Sequence, residues 1–171
     1  MKRILGLVLA ALLGVALVPV APAAAMPVWL TRGTAWAGSP EARFPQILDL
    51  RYAEHKRFDR VVIDVKGRLP GGRTHYRREF RYDPSDLKVP IRGGLEVVLR
   101  PAYVTDAQGH EVYEGPTLVR PGLPALKAVA LTGTFEGQVN FAFGLAPRRT
   151  PYRVFLLHDP QRIVVDFKHT S

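Results

Sequence analysis

Between Ile47 and Phe167 apolar residues recur at every second position in short runs, the period of a β-strand with one buried face. The clearest run is 59–66, in which Val61, Ile63 and Val65 share one face while Arg60, Val62, Asp64 and Lys66 share the other. Residues 47–52, 95–102, 126–132, 138–145, 152–158 and 162–167 read as further strands, with Glu96 to Leu99 as the centre of the 95–102 run. Residues 73–82 alternate polar and aromatic side chains in the manner of an exposed strand. Turn residues separate these runs: Leu69-Pro70-Gly71-Gly72, Asp83-Pro84-Ser85-Asp86, Arg92-Gly93-Gly94 and Gly122-Leu123-Pro124. Residues 105–116 read as loop with a short hairpin around Val112 and Tyr113. Helical periodicity is missing from every ten-residue stretch after the first 25 residues, so the expected class is all-β, mostly antiparallel, with little helix.

The pattern also repeats. Arg73-Thr74-His75-Tyr76-Arg77, followed by Asp83-Pro84, returns 76 positions later as Arg149-Thr150-Pro151-Tyr152-Arg153, followed by Asp159-Pro160. Residues 58–67 and 135–144 align at an offset of 77. Two units are too few for a solenoid, but they suit a pseudo-symmetric β-sandwich of two small antiparallel sheets, each half supplying one sheet. A further echo, Arg-x-x-x-Asp-x-Lys, links residues 60–66 with 162–168, and strand parity places its charged members on one face. Such rows hold strands in register and discourage edge pairing, or they bind a ligand.

The N-terminus alters the picture of where this sandwich works. Lys2 and Arg3 precede an apolar run from Ile4 to Val18, and Ala23-Ala24-Ala25 offers a cleavage site, so residues 1–25 read as a secretory signal peptide. Pro19 and Pro22 interrupt the run before the about 20 apolar residues a stable transmembrane anchor needs. The expected organisation is a signal at 1–25, a Pro- and Gly-containing lead-in at 26–45 whose Trp29 and Trp36 pack onto the domain, and one β domain at 46–171. The chain has no cysteine, which excludes disulfides, a thiol nucleophile and lipid attachment through a cysteine. Residues 26–171 carry 22 Lys and Arg against 15 Asp and Glu, a formal +7. A basic exported protein points to anionic envelope polymers rather than nucleic acid, although basicity alone also occurs without a specific partner.

At this point the residues resemble a known family. Arg60-Val61-Val62-Ile63-Asp64-Val65, together with the closing Tyr152-Arg153-Val154-Phe155, Asp159-Pro160 and Arg162-Ile163-Val164-Val165-Asp166-Phe167, resembles the AMIN family and, more narrowly, the AMIN-like domains of exported bacterial proteins. The resemblance spans residues 47–167. It implies a sandwich of two similar sheets and a role in directing proteins to peptidoglycan, with no invariant catalytic motif to transfer. Residues 103–124 are an addition to the minimal pattern, and the expected chain has no room for the amidase or secretin that such a domain normally accompanies.

The candidate chemistry favours binding. His55, His75, His110, His158 and His169 form no tight metal-ligand spacing, and no Gly-x-Ser-x-Gly occurs. Asp64 and Asp166 form a conceivable carboxylate pair across the sheets, but their place in arginine-containing rows argues for neutralised charge. Arg73, Arg77, Arg78, Arg149 and Arg153 are the candidate ligand-binding residues, because forked guanidinium groups bind the carboxylates of cell-wall peptides. Tyr76 and Tyr152 lie on the opposite face by strand parity and are expected in the packing. No cofactor is called for. The expected function is non-enzymatic binding of peptidoglycan or another anionic wall polymer. The alternative is protein–protein assembly in the envelope through an exposed edge at 74–82.

Overall fold

In the computed structural model, which describes residues 26–170, ten strands form two stacked antiparallel sheets and no helix is present among the described residues. The expected signal segment lies outside the described residues. In chain order the strands are β1 (Ala35–Trp36), β2 (Gln46–His55), β3 (Phe58–Lys66), β4 (Gly71–Arg77), β5 (Gly94–Arg100), β6 (Leu118–Val119), β7 (Leu126–Gly133), β8 (Val139–Leu145), β9 (Tyr152–Leu157) and β10 (Arg162–Lys168). One sheet has the order β2-β3-β10-β9 and the other β1-β4-β5-β8-β7-β6. Alternation does the work expected of it: the inward residues Ile47, Leu50, Val61, Ile63, Leu95, Leu99, Phe141, Phe143, Ile163 and Phe167 form the core between the sheets. β8 is buried along its whole length because residues 78–93 cross its outer side. There Phe80 and Val89 cover Ala130 and Ala142 and bury the second face too.

The repeat is present, but the halves are not the sheets. Strands β2 to β5 and β7 to β10 exchange under a pseudo-two-fold axis, which turns the order β2-β3-β10-β9 into β7-β8-β5-β4. Each half therefore contributes one hairpin to each sheet, correcting the expectation that each half supplies a sheet of its own. The physical cause is the break at Leu69-Pro70, which carries the chain from β3 in one sheet to β4 in the other; residues 146–151 do the same between β8 and β9. Neither half can bury its apolar surface without the other.

The repeated spacing of Tyr76 and Tyr152 also finds its reason in contacts between the two halves. Tyr152 Oη hydrogen-bonds Thr74 Oγ1, and Tyr76 Oη donates to the Thr150 carbonyl, so each tyrosine engages the threonine of the other half. Their rings meet edge to face at 5.7 Å, as parity predicts for residues that point inward.

Segments outside the repeat cover the sheet edges. Leu30 pairs with Tyr152 on the free side of β9, and β1 pairs with β4 through Ala35 opposite Arg73 and Trp36 opposite Gly72. Tyr103 and Glu114 bond the backbone at the start of β2, and β6 lies along β7. The stretch at 74–82 is consequently not an open edge strand. β4 ends at Arg77, and Thr74 donates its amide to Thr34. The 105–111 segment forms an irregular hairpin, joined by a Thr105–Glu111 bridge, and Tyr113 is buried against Phe141.

Candidate functional site

The five arginines singled out by sequence fall into different environments. Arg77 and Arg153 are equivalent under the pseudo-two-fold, and both are spent on carboxylates of the following strand. Arg77 binds Glu96 at 2.8 Å in an exposed pair. Arg153 binds Asp166 at 2.8 Å, with only 11% of its side chain exposed. Asp166 is fully buried on the outer side of its sheet, because Arg60 grips it bidentately at 2.7 and 2.9 Å while Trp29 covers Arg153 and Phe58 and Phe155 cover Arg60. Arg149 lies over the Tyr76 ring at 5.5 Å and reaches the Thr31 carbonyl. Only Arg73 and Arg78 are exposed without a hydrogen-bond or ion-pair partner among the described residues, and they lie at opposite ends of β4.

Asp64 and Asp166 do not face each other across the sandwich. They occupy adjacent strands of one sheet, and Asp166 pairs with Arg60, four positions from Asp64. That is about 13 Å along the strand, beyond the about 5–9.5 Å that separates paired glycosidase carboxyls. Asp64 is held by Arg51 at 2.8 and 2.9 Å. The histidines are scattered in the same way: His110 bonds Asp106, His158 bonds Gln161, His55 stacks on Phe58, and His169 bonds the buried Asp59. Asp59 also accepts the amides of Ala125 and Leu126 at 2.7 and 2.8 Å, pinning the midpoint crossing to β3.

The arrangement best suited to a ligand lies at one end of the six-stranded sheet. β4, β5 and β8 are neighbours, and their antiparallel course brings the end of β4, the start of β5 and the end of β8 together. Arg78 follows β4, Arg92 precedes β5, and Arg148 lies just beyond β8, so the topology gathers three guanidinium groups distant in sequence. They line a cleft of about 760 Å³ whose floor is Ile91, Gly93, Leu145, Ala146 and Pro147. Gly93 is required at this floor, since a Cβ there would meet the Arg77 and Arg78 carbonyl oxygens at 2.5 and 2.4 Å. None of the three arginines has an ion-pair partner among the described residues.

Glu79 is the one carboxylate lining the cleft, and it is already neutralised by Arg81 at 2.8 Å and Lys88 at 3.2 Å. Those hydrogen bonds hold its pKa below the ordinary carboxylate value. Beyond Arg92 the surface continues into a hollow of about 420 Å³ that adds Arg120 and Lys127. Arg120 and Lys127 are braced on the Pro90 and Leu123 carbonyls. The result is an electropositive trough with an apolar floor, suited to a multivalent anion.

Of the cations lining this trough, sequence reasoning singled out Arg78 and not Arg92, Arg148, Arg120 or Lys127. Their only local signal was position beside a turn, as in Arg92-Gly93-Gly94 and Pro147-Arg148-Arg149. What unites them is strand order, which no spacing within one strand encodes.

Neither the curated proteins nor the solved structures compared with the chain give a match. The family model described as the AMIN-like domain matches residues 45–169, and the described part of that span is the two-sheet sandwich, so the chain belongs to the AMIN-like domain family.

Proposed function

We propose that this domain is a non-enzymatic binding module for an anionic cell-envelope polymer, with peptidoglycan as the first candidate, and that the Arg78, Arg92 and Arg148 cleft is its contact surface. Family membership supports an envelope-related binding role in general. The observation that carries the reading further is the convergence of three guanidiniums without carboxylate partners among the described residues on one apolar-floored cleft. Carboxylates along a wall polymer are bound by such groups through charge-assisted, forked hydrogen bonds. The signal peptide expected at 1–25 supports this reading, because export would bring the module to where such polymers occur. No helix among the described residues is long and apolar enough to cross a membrane.

The test is co-sedimentation with purified insoluble cell wall across a salt series, comparing the protein with the Arg78→Ala/Arg92→Ala/Arg148→Ala variant. Pelleting that fades with salt and is weakened at least about tenfold by the triple substitution is the expected result. Pelleting that the triple substitution leaves intact would remove the cleft from the mechanism. An absence of pelleting at low salt would redirect the search to an envelope protein as partner.

A further inference from the structure

We propose a second ligand site, for the free carboxylate end of a short peptide, at the opposite end of the outer face of the six-stranded sheet. β4 separates the two sites by its length, about 20 Å for seven residues. The groove holds about 320 Å³ and is lined by residues 35–38 of the lead-in, Gly71, Gly72, Arg73, Val98, Arg100 and Gln138. Residues 35–38 precede the family match at 45–169, so this wall lies outside the matched span.

The register explains why two arginines converge there. Arg73 is opposite Val98 and Gly71 is opposite Arg100, so Arg73 and Arg100 are diagonal neighbours on the outer face. Such a pair has Cα atoms about 7–8 Å apart, close enough for two long side chains to bracket one carboxylate. Both arginines are exposed, and neither has a carboxylate partner among the described residues. Their neighbour Arg77, on the same face, is neutralised by Glu96.

Glycine lets the lead-in backbone lie against this end of β4 and form the wall of the groove. A Cβ at Gly71 would come within 3.1 Å of both the Arg100 carbonyl oxygen and the Gly38 amide nitrogen, and Gly71 places no side chain opposite Arg100. Val98, only 5% exposed, supplies an apolar floor. Gln138 at the rim offers a donor and an acceptor in one carboxamide, the complement of a peptide amide next to its terminal carboxylate. The volume is at the lower end for small-molecule sites and suits about two residues rather than a polymer.

Backbone amide NMR titration of the protein tests this with N-acetyl-alanyl-alanine as the free acid, its C-terminal amide, and inorganic phosphate. Saturable shifts at Ala35, Gly71, Gly72 and Gln138 are expected with the free acid at millimolar concentration, and not with the amide or with phosphate. Arg73→Ala and Arg100→Ala should each weaken binding by about tenfold. Arg77→Ala and the cleft variant Arg92→Ala/Arg148→Ala should leave it unchanged, which separates this site from the polymer cleft. Equal response to acid and amide, an equal response to phosphate at the same residues, or no saturable shift would each overturn the proposal.

Discussion

At the scale of single residues, burial decides what each charge is worth. Asp166 and Asp64 occupy comparable places in the echoed rows, yet Asp166 is fully buried whereas 25% of the Asp64 side chain is exposed. Removing one member of a buried pair leaves the other charge uncompensated, and Arg153 has little access to water. Asp166→Ala is therefore expected to lower unfolding stability by about 3 kcal/mol in urea denaturation. Asp64→Ala should cost less than about 1 kcal/mol, because Arg51 is exposed and turns to solvent. Equal costs would show that the aromatic cover over Asp166 does not exclude water.

The tyrosines make a second residue-scale prediction. Burial raises the phenol pKa of Tyr76, Tyr113 and Tyr152 above the ordinary value. The unfolded chain then releases these protons at lower pH than the folded chain. Their contribution is fully present below about pH 10 and is lost as the pH climbs toward the raised folded values. Stability measured by urea denaturation should fall steeply above about pH 10, and Tyr76→Phe/Tyr152→Phe should flatten that fall while costing stability at neutral pH. An unchanged alkaline slope in the double variant would assign the transition to other groups.

At the scale of elements, the lead-in acts as structure laid across sheet edges. Trp36 lies where a side chain at position 72 would be: a Cβ on Gly72 would sit 2.0 Å from its ring, and Trp36 Nε1 donates to the Pro70 carbonyl at 3.2 Å. Gly72→Ala should displace the indole and detach β1. Hydrogen exchange at the Thr74 amide, which donates to Thr34, should accelerate by at least about tenfold while β5 amides keep their protection. Loss of protection throughout β5 would mean that the lead-in supports the whole sheet.

Most strands were legible because one-sided burial writes a period of two, as in β3, and the duplicated Tyr-Arg segment announced the symmetry. The exchange of hairpins between sheets was not legible, since a Gly-Pro break marks a change of direction without stating which sheet receives the next strand. The run at 73–82 was read too long because residues 78–82 leave the sheet to cover Ala130 and Ala142, where Phe80 retains an apolar pattern. β6 is two residues long and carries no periodic signal.

At the scale of the molecule, the formal charge of +9 admits two explanations of polymer binding that predict different things. A diffuse field depends on net charge, whereas a built cleft depends on which cations remain unpaired. Arg51 and Arg77 are held by Asp64 and Glu96, while Arg92 and Arg148 line the cleft without such partners among the described residues. Arg51→Ala/Arg77→Ala and Arg92→Ala/Arg148→Ala each remove two positive charges, so they match in net charge and differ only in place. In wall co-sedimentation the cleft variant should bind about tenfold more weakly at low salt and show a shallower salt dependence, because fewer polymer charges are neutralised per protein. The paired-arginine variant should retain both affinity and slope. Equal weakening of the two would assign binding to net charge and remove the need for a site.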